Sequence, residues 1–251
     1  MGRYGLVLWL CCCGGAWLPA IAGAETSSES LHVVELFTSH GCSSCPPADA
    51  YLADLVSGDE PLVALEFHVD YWNELVHGAS GSWVDPFSSR EYTDRQRLYN
   101  NRSLAGRPGV YTPQIVVDGR YAAVGSDRAR ISQRLGNTLP PASVGLAVAR
   151  PSPDVLQVTV DNSKGEDTTI WLVTYDLRQE TEITGGENKN LRIVNHHIVK
   201  SVQPVKTFTR NDVATARLDV PIKLASGEGC SLIAQQELTG PVHGAVNCPR
   251  G

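Results

Sequence analysis

The sequence has no excess of positive charge: 21 Lys and Arg stand against 27 Asp and Glu, a net charge of −6. A protein that grips nucleic acid through a basic surface is therefore not expected. Between residues 25 and 140 there is no lysine at all, only nine arginines against fifteen acids. After the first two dozen residues no apolar run approaches the length of a membrane span, so stable membrane insertion is not expected either. Internal repeats and low-complexity tracts are absent. Cysteine is sparse, seven in 251 residues, too few for the dense disulfide framework of a mini-protein. The chain is nevertheless 42% apolar, which rules out wholesale disorder, and its length suits one large domain or two ordinary ones.

The beginning of the chain accounts for the odd cysteine count. Arg3 is the sole charged side chain before Glu25, Leu6–Leu10 starts an apolar stretch, and Ala22-Gly23-Ala24 closes it. This is the pattern of a secretory signal peptide cleaved after Ala24, and it implies a periplasmic or secreted protein. Cleavage would remove Cys11, Cys12 and Cys13. Four cysteines remain: Cys42, Cys45, Cys230 and Cys248. An even number in an exported chain fits an oxidising compartment, and Cys230 and Cys248 are expected to form a structural disulfide.

The remainder reads as two parts, 25–140 and 141–251, with Pro140-Pro141 at the boundary. In the first, Val33–Phe37 and Leu62–Phe67 are buried-strand patterns, and Ala48, Tyr51, Leu52 and Leu55 recur at helical spacing up to Gly58. A second helix is expected over Ser88–Tyr99, and Ser126 or Asp127 caps a third. Ile115–Val117, Asp118-Gly119 and Tyr121–Val124 form a hairpin signal. The order predicts an α/β layer with a central mixed sheet and flanking helices. In the second part apolar residues alternate over 156–160 and 171–177, with more strand-like runs at 192–203, 212–222, 230–237 and 242–246. An all-β antiparallel sandwich is expected there.

The chemistry centres on Cys42-Ser43-Ser44-Cys45, directly after the first strand. Pro46 and Pro47 are tolerated only in the first turn of a helix, which fixes the helix start near Ser43. Unpaired N–H groups and partial positive charge there favour a thiolate on Cys42. Taken with Glu35–Ser39, Pro46–Asp49, Phe67–Trp72 and Tyr111–Gln114, the motif resembles the redox centre of the thioredoxin superfamily. More specifically, the chain resembles the exported bacterial family catalogued as domain of unknown function 1223, over residues 31 to about 205.

That resemblance implies a thioredoxin-like domain followed by the sandwich, and a thiol–disulfide oxidoreductase. Cys42 would be the attacking thiolate and Cys45 the resolving thiol. Thr112-Pro113 would be a cis-proline turn that, with Gly41, Ser43 and Ser44, meets the substrate. A thioredoxin carries a buried acid six residues before its first cysteine. Leu36 stands there instead, and alternation puts Glu35, one residue earlier, on the opposite face of the strand; either a bulge corrects this and Glu35 handles the resolving proton, or Glu35 does something else. His68 and Asp70, at the end of the next strand, are the substitutes for moving the resolving proton. Arg90, Arg95 and Arg97, with Glu91 and Asp94, read as a solvated helix face. The loop Gly185-Gly186-Glu187-Asn188 is a candidate to lie against the redox site.

The partners implied are protein or small-molecule thiols and disulfides and a redox partner protein. No cofactor is expected, and no resident metal: a zinc site needs two ligands beyond the C-x-x-C, and none lies nearby in sequence. Two other readings remain open. Two thiols plus His68 would suit a soft ion such as Cu(I), making a metal-binding or delivery protein. Alternatively, the domain has lost its redox activity and the sandwich docks a partner.

Overall fold

The computed structural model describes residues 1–2, 26–27, 31–137, 141–212 and 214–249. The expected signal peptide lies outside them apart from its first two residues, as does Pro140 at the expected boundary. Two short strand pieces, β1 (Thr26–Ser27) and β4 (Ala105–Gly106), accompany the longer strands. The first half contributes β2 (His32–Thr38), α1 (Pro46–Ser57), β3 (Leu62–His68), α2 (Arg90–Asn100), β5 (Gln114–Val117), β6 (Tyr121–Val124) and α3 (Arg128–Leu135). The second half is all strand: β7 (Gly145–Ser152), β8 (Val155–Asp161), β9 (Thr168–Glu182), β10 (Arg192–Phe208), β11 (Thr215–Pro221), β12 (Glu228–Gln235) and β13 (Val242–Asn247).

These strands make a four-stranded sheet, β1-β7-β8-β11, and a nine-stranded mixed sheet, β13-β12-β9-β10-β3-β2-β5-β6-β4. The large sheet corrects the expected fold class. Strands occupy 43% of the described residues and helices 16%, so this is a mainly β protein on one large sheet. It is not a helix-flanked thioredoxin-like α/β domain followed by a separate sandwich. The reason is β10: it pairs antiparallel with β9 over almost its whole length and also lies parallel beside β3, meeting it at Ile198 and Glu66. Strands from both halves of the chain thereby become one sheet.

Alternation on β2 shows how the sheet is covered. Val33 and Phe37 face a core shared with α2 (Tyr92, Tyr99) and with Val173, Tyr175 and Val199 of β9 and β10. Val34 and Leu36 face the other side, against Ala48, Tyr51 and Leu52 of α1 and Ile131 of α3. Elsewhere the large sheet is covered by the four-stranded one. Leu146, Val148, Leu156 and Val158 pack on Ile170, Leu172 and Leu232. Burial of such aliphatic side chains contributes about 1.5–3 kcal/mol each. The second disulfide, Cys230–Cys248, ties β12 to the residue after β13, with Cα atoms 5.3 Å apart.

Glu35, on the α2 face, is paired with Arg95: Nε donates to Oε2 at 2.7 Å and Nη2 to Oε1 at 2.8 Å, while Tyr99 Oη donates to Oε1 at 2.7 Å. Arg95 is only 4% exposed, so this residue is not on a solvated face as the charge pattern of α2 suggested. Burial works against its charge, but the Glu35 carboxylate outweighs it and raises the pKa further. Glu35 thus fixes α2 to the sheet, on the side away from α1 and the C-x-x-C pair.

Candidate functional site

Cys42 and Cys45 sit in the turn from β2 into α1 and are joined by a disulfide, with Cα atoms 5.4 Å apart. The helix proper starts at Pro46, with Pro47 next and Cys45 in the capping position, a little later than the Ser43 start read from sequence. Cys45 N–H donates to Cys42 O at 3.1 Å and Ala48 N–H to Cys45 O at 2.8 Å, a tight turn feeding the helix. Both cysteines are fully buried, whereas Ser43 and Ser44 between them are exposed. Ser44 Oγ lies 3.3 Å from Cys42 Sγ.

The Thr112–Pro113 peptide is cis. Pro113 lies where the β5–β6 hairpin approaches α1: a Cβ added at Gly125 would meet Ala48 Cβ at 2.9 Å and Leu36 Cδ1 and Pro113 Cβ at 3.0 Å each. Only glycine fits there, so side chains of β2, α1 and the proline turn converge on one point. Trp72 links this turn to the motif. Its Nε1 donates to Thr112 Oγ1 at 2.8 Å, and its Cβ would lie 3.1 Å from a Cβ at Gly41.

A strap between β9 and β10 is bonded to the turn that carries the pair. Asn188 Nδ2 donates to His40 O at 2.8 Å and to Cys42 O at 2.9 Å. Glu187 Oε2 accepts from Ser43 N–H at 2.8 Å. These bonds from Ser43 hold the Glu187 carboxyl below its ordinary pKa. Gly186 turns the strap with φ at +72°, a conformation that disfavours other residues. The loop singled out in sequence therefore does lie on the motif.

Behind the pair is a buried polar cluster. His68 Nδ1 donates to Asp85 Oδ2 at 2.7 Å, and Asp85 Oδ2 also accepts His40 N–H at 2.8 Å. Asn195 joins His40 Nε2, 2.8 Å away, to Glu66 Oε1 at 2.6 Å. Burial lowers the pKa of His40. Burial would do the same to His68, but the Asp85 and Glu66 carboxylates outweigh it and push His68 up to about 10. Burial opposes ionisation of Asp85 too, yet the bonded His68 holds that carboxyl well below its usual range. Asp49, one helical turn after Cys45, is buried and takes a 2.6 Å hydrogen bond from Thr38 Oγ1. Burial, followed by the charge of Glu66, raises its carboxyl well above the usual value.

The structure thus brings Cys42, Cys45, Gly41, Ser43, Ser44, Thr112 and Pro113 to one corner, with His68 in the buried cluster next to His40. Asp70 is turned elsewhere: its carboxylate takes the hydroxyl of Thr93 on α2 at 2.5 Å. Asp49, Glu66, Asp85 and Asn195 were not found in sequence. They are spread from residue 49 to 195 and meet only through the strand order β10-β3-β2. Two grooves of about 590 and 670 Å³ lie elsewhere, and neither cysteine of the pair lines them. Among the described residues no helix is long and apolar enough to cross a membrane.

The profile of a family described as protein of unknown function (DUF1223) matches residues 33–235. Among solved structures, the crystal structure of protein AGR_C_4864 from Agrobacterium tumefaciens is similar over 88% of this chain and 95% of that one, at 29% identity and a TM-score of 0.70. HBP35 of Porphyromonas gingivalis is similar over 88% of this chain and 75% of that one, at 14% identity and a TM-score of 0.51, a likeness of fold alone. No curated protein matches the chain.

Proposed function

The chain belongs to the DUF1223 family, whose description records no function, and from the site itself we propose that it is a thiol–disulfide exchange protein acting through Cys42 and Cys45. The observation that carries this reading is the disulfide between them, closed across only three positions at the turn into α1. So small a loop removes little entropy from the unfolded chain, so stapling the fold is a poor use for it. Cys230–Cys248, with a separation of 18, is far better suited to that role.

In the reducing direction the Cys42 thiolate attacks one sulfur of a substrate disulfide. A Cys42–substrate disulfide forms and the first substrate sulfur leaves as a thiolate. Cys45, deprotonated, then attacks Cys42 Sγ, closing Cys42–Cys45 and releasing the second substrate thiol. Two electrons pass from the pair to the substrate, and the reverse sequence oxidises a substrate dithiol. The exposed Ser43 and Ser44, with Thr112 held by Trp72, offer the polar surface for an incoming chain or small thiol. Both cysteines are buried, so exchange requires the site to open, and our reading assigns that opening to release of the strap bonds from Asn188 and Glu187. We place the activity outside the cytoplasm. The Ala22-Gly23-Ala24 ending and a second, structural disulfide support this, and a mature chain starting at Glu25 in the exported fraction tests it.

The experiment is a trap. Cys45→Ser should accumulate a mixed disulfide on Cys42 with glutathione or with a partner protein, and Cys42→Ser should not. Failure of the folded Cys45→Ser protein to form any adduct on Cys42 sinks the proposal.

A further inference from the structure

The polar cluster behind the pair has two ring nitrogens without hydrogen-bond partners, His40 Nδ1 and His68 Nε2, both in fully buried side chains. The direction of each bond around them can be read. Asn195 Nδ2 donates to Glu66 Oε1, so Asn195 Oδ1 is an acceptor and His40 Nε2 carries the hydrogen that meets it. Neutral His40 therefore turns the bare lone pair of Nδ1 toward Asp85 Oδ1, 3.6 Å away. His68 is held differently: its Nδ1–H faces Asp85 Oδ2 at 2.7 Å and the Nε2 side of the ring faces Glu66 Oε1 at 3.4 Å, so both sides of the imidazole are turned to carboxylates. A lone pair aimed at a carboxylate in a buried site is unfavourable unless something positive lies between them.

We propose that His40, His68 and Asp85 form a binding site for a first-row divalent cation, with both imidazoles ligating through Nδ1 and Asp85 supplying a carboxylate oxygen. One ligand atom from each residue lies within 4.8 Å of the others. Zinc–ligand bonds of about 2.0–2.1 Å in a tetrahedral site put neighbouring ligand atoms about 3.3 Å apart, near the 3.6 Å between His40 Nδ1 and Asp85 Oδ1. His68 Nδ1 would exchange its direct contact with Asp85 for the metal. His40 Nε2 would keep its hydrogen on Asn195 Oδ1, 2.8 Å away, and His68 Nε2 would face Glu66 Oε1 at 3.4 Å. Ligating histidines are normally supported in this manner, by a carboxylate or carbonyl on the far nitrogen. Two imidazoles and one carboxylate suit zinc and its neighbours in the first row. The site uses no sulfur and so stands apart from the Cys42–Cys45 pair. It would nevertheless stiffen that pair's turn, because Asn188 holds both His40 O and Cys42 O.

A proton on each imidazole is the competing occupant, and metal counting separates the two. The mature chain starting at Glu25, which lacks Cys11, Cys12 and Cys13, is refolded with both disulfides intact, so that thiols are not available, in the presence of Zn²⁺ or of Co²⁺ as a spectroscopic probe. Excess metal is then removed by gel filtration. The expected result is stoichiometric retained metal, a Co²⁺ spectrum of nitrogen and oxygen ligation without a thiolate charge-transfer band, and unchanged loading in Cys42→Ser/Cys45→Ser. His40→Ala and His68→Ala should each lower affinity by about tenfold or more. Should those variants not fold, X-ray absorption on the loaded native protein decides alone, with imidazoles in the first coordination shell expected. Absence of stoichiometric metal after refolding, sulfur in the first shell, or loading undiminished in both folded histidine variants overturns the site.

Discussion

Removal of the Asn188 amide should unlatch the strap from the turn that carries the disulfide. Asn188 is 3% exposed and its Nδ2 bonds two carbonyls, His40 O at 2.8 Å and Cys42 O at 2.9 Å, both in the turn that presents Cys42. A neutral buried hydrogen bond contributes about 0.5–1.5 kcal/mol net, so Asn188→Ala removes about 2 kcal/mol from the closed state. At about 1.4 kcal/mol per factor of ten, the opened population rises about 30-fold. When opening and closing are fast relative to chemistry, reduction follows that population. The assay is the pseudo-first-order reduction of Cys42–Cys45 by a phosphine, followed by thiol alkylation and mass shift. Val158→Ala, in the core between the two sheets, serves as a control for general destabilisation. The reasoning is refuted if Asn188→Ala reduces within about twofold of the parent. It is also refuted if Val158→Ala, at matched global stability, accelerates reduction equally.

The same latch should respond to acid through Glu187. Its folded pKa is depressed by Ser43, so its contribution is present above the unfolded value and is lost as pH falls through the folded one. The ratio of the parent's phosphine reduction rate to that of Glu187→Gln, in which protonation of the reagent cancels, should therefore rise on acidification; a ratio that stays constant would count against the latch. Arg95→Met strands the Glu35 carboxylate in the core and should cost about 3–5 kcal/mol in urea unfolding. A loss under about 1 kcal/mol would mean that water or another donor replaces the guanidinium. Cys230→Ala/Cys248→Ala opens a 19-residue loop and should cost about 3 kcal/mol, while exchange at Cys42 keeps its rate; a large loss of exchange would couple that disulfide to the site.

What sequence made legible follows from what local pattern encodes. The double proline after Cys45 and the Asp118-Gly119 turn depend on backbone geometry within a few residues, and α1 and the β5–β6 hairpin lie close to where these signals put them. Alternation also assigned Glu35 to the face away from α1. Pairing is another matter: alternation shows which residues are strand and which face they use, but not that β10 lies beside β3. The fold class failed at that point, and with it went any chance of seeing Asn195 and Glu66 together. Arg95 was hidden by its charged neighbours on α2, although Tyr92, Arg95, Gln96 and Tyr99 recur at helical spacing and all four are buried. That stripe was the available signal. His68 was singled out for its place at a strand end, but no spacing rule joins it to His40 in a turn and Asp85 in a loop.

The most direct test of the account is a redox titration of Cys42–Cys45 in the folded full chain against a graded thiol–disulfide buffer. A reversible two-electron transition is expected, with the fold retained in the reduced form and a midpoint above about −300 mV, the limit below which structural disulfides typically lie. A pair that stays oxidised across that range, or that reduces only as the chain unfolds, would show it to be a structural link and contradict the proposed function.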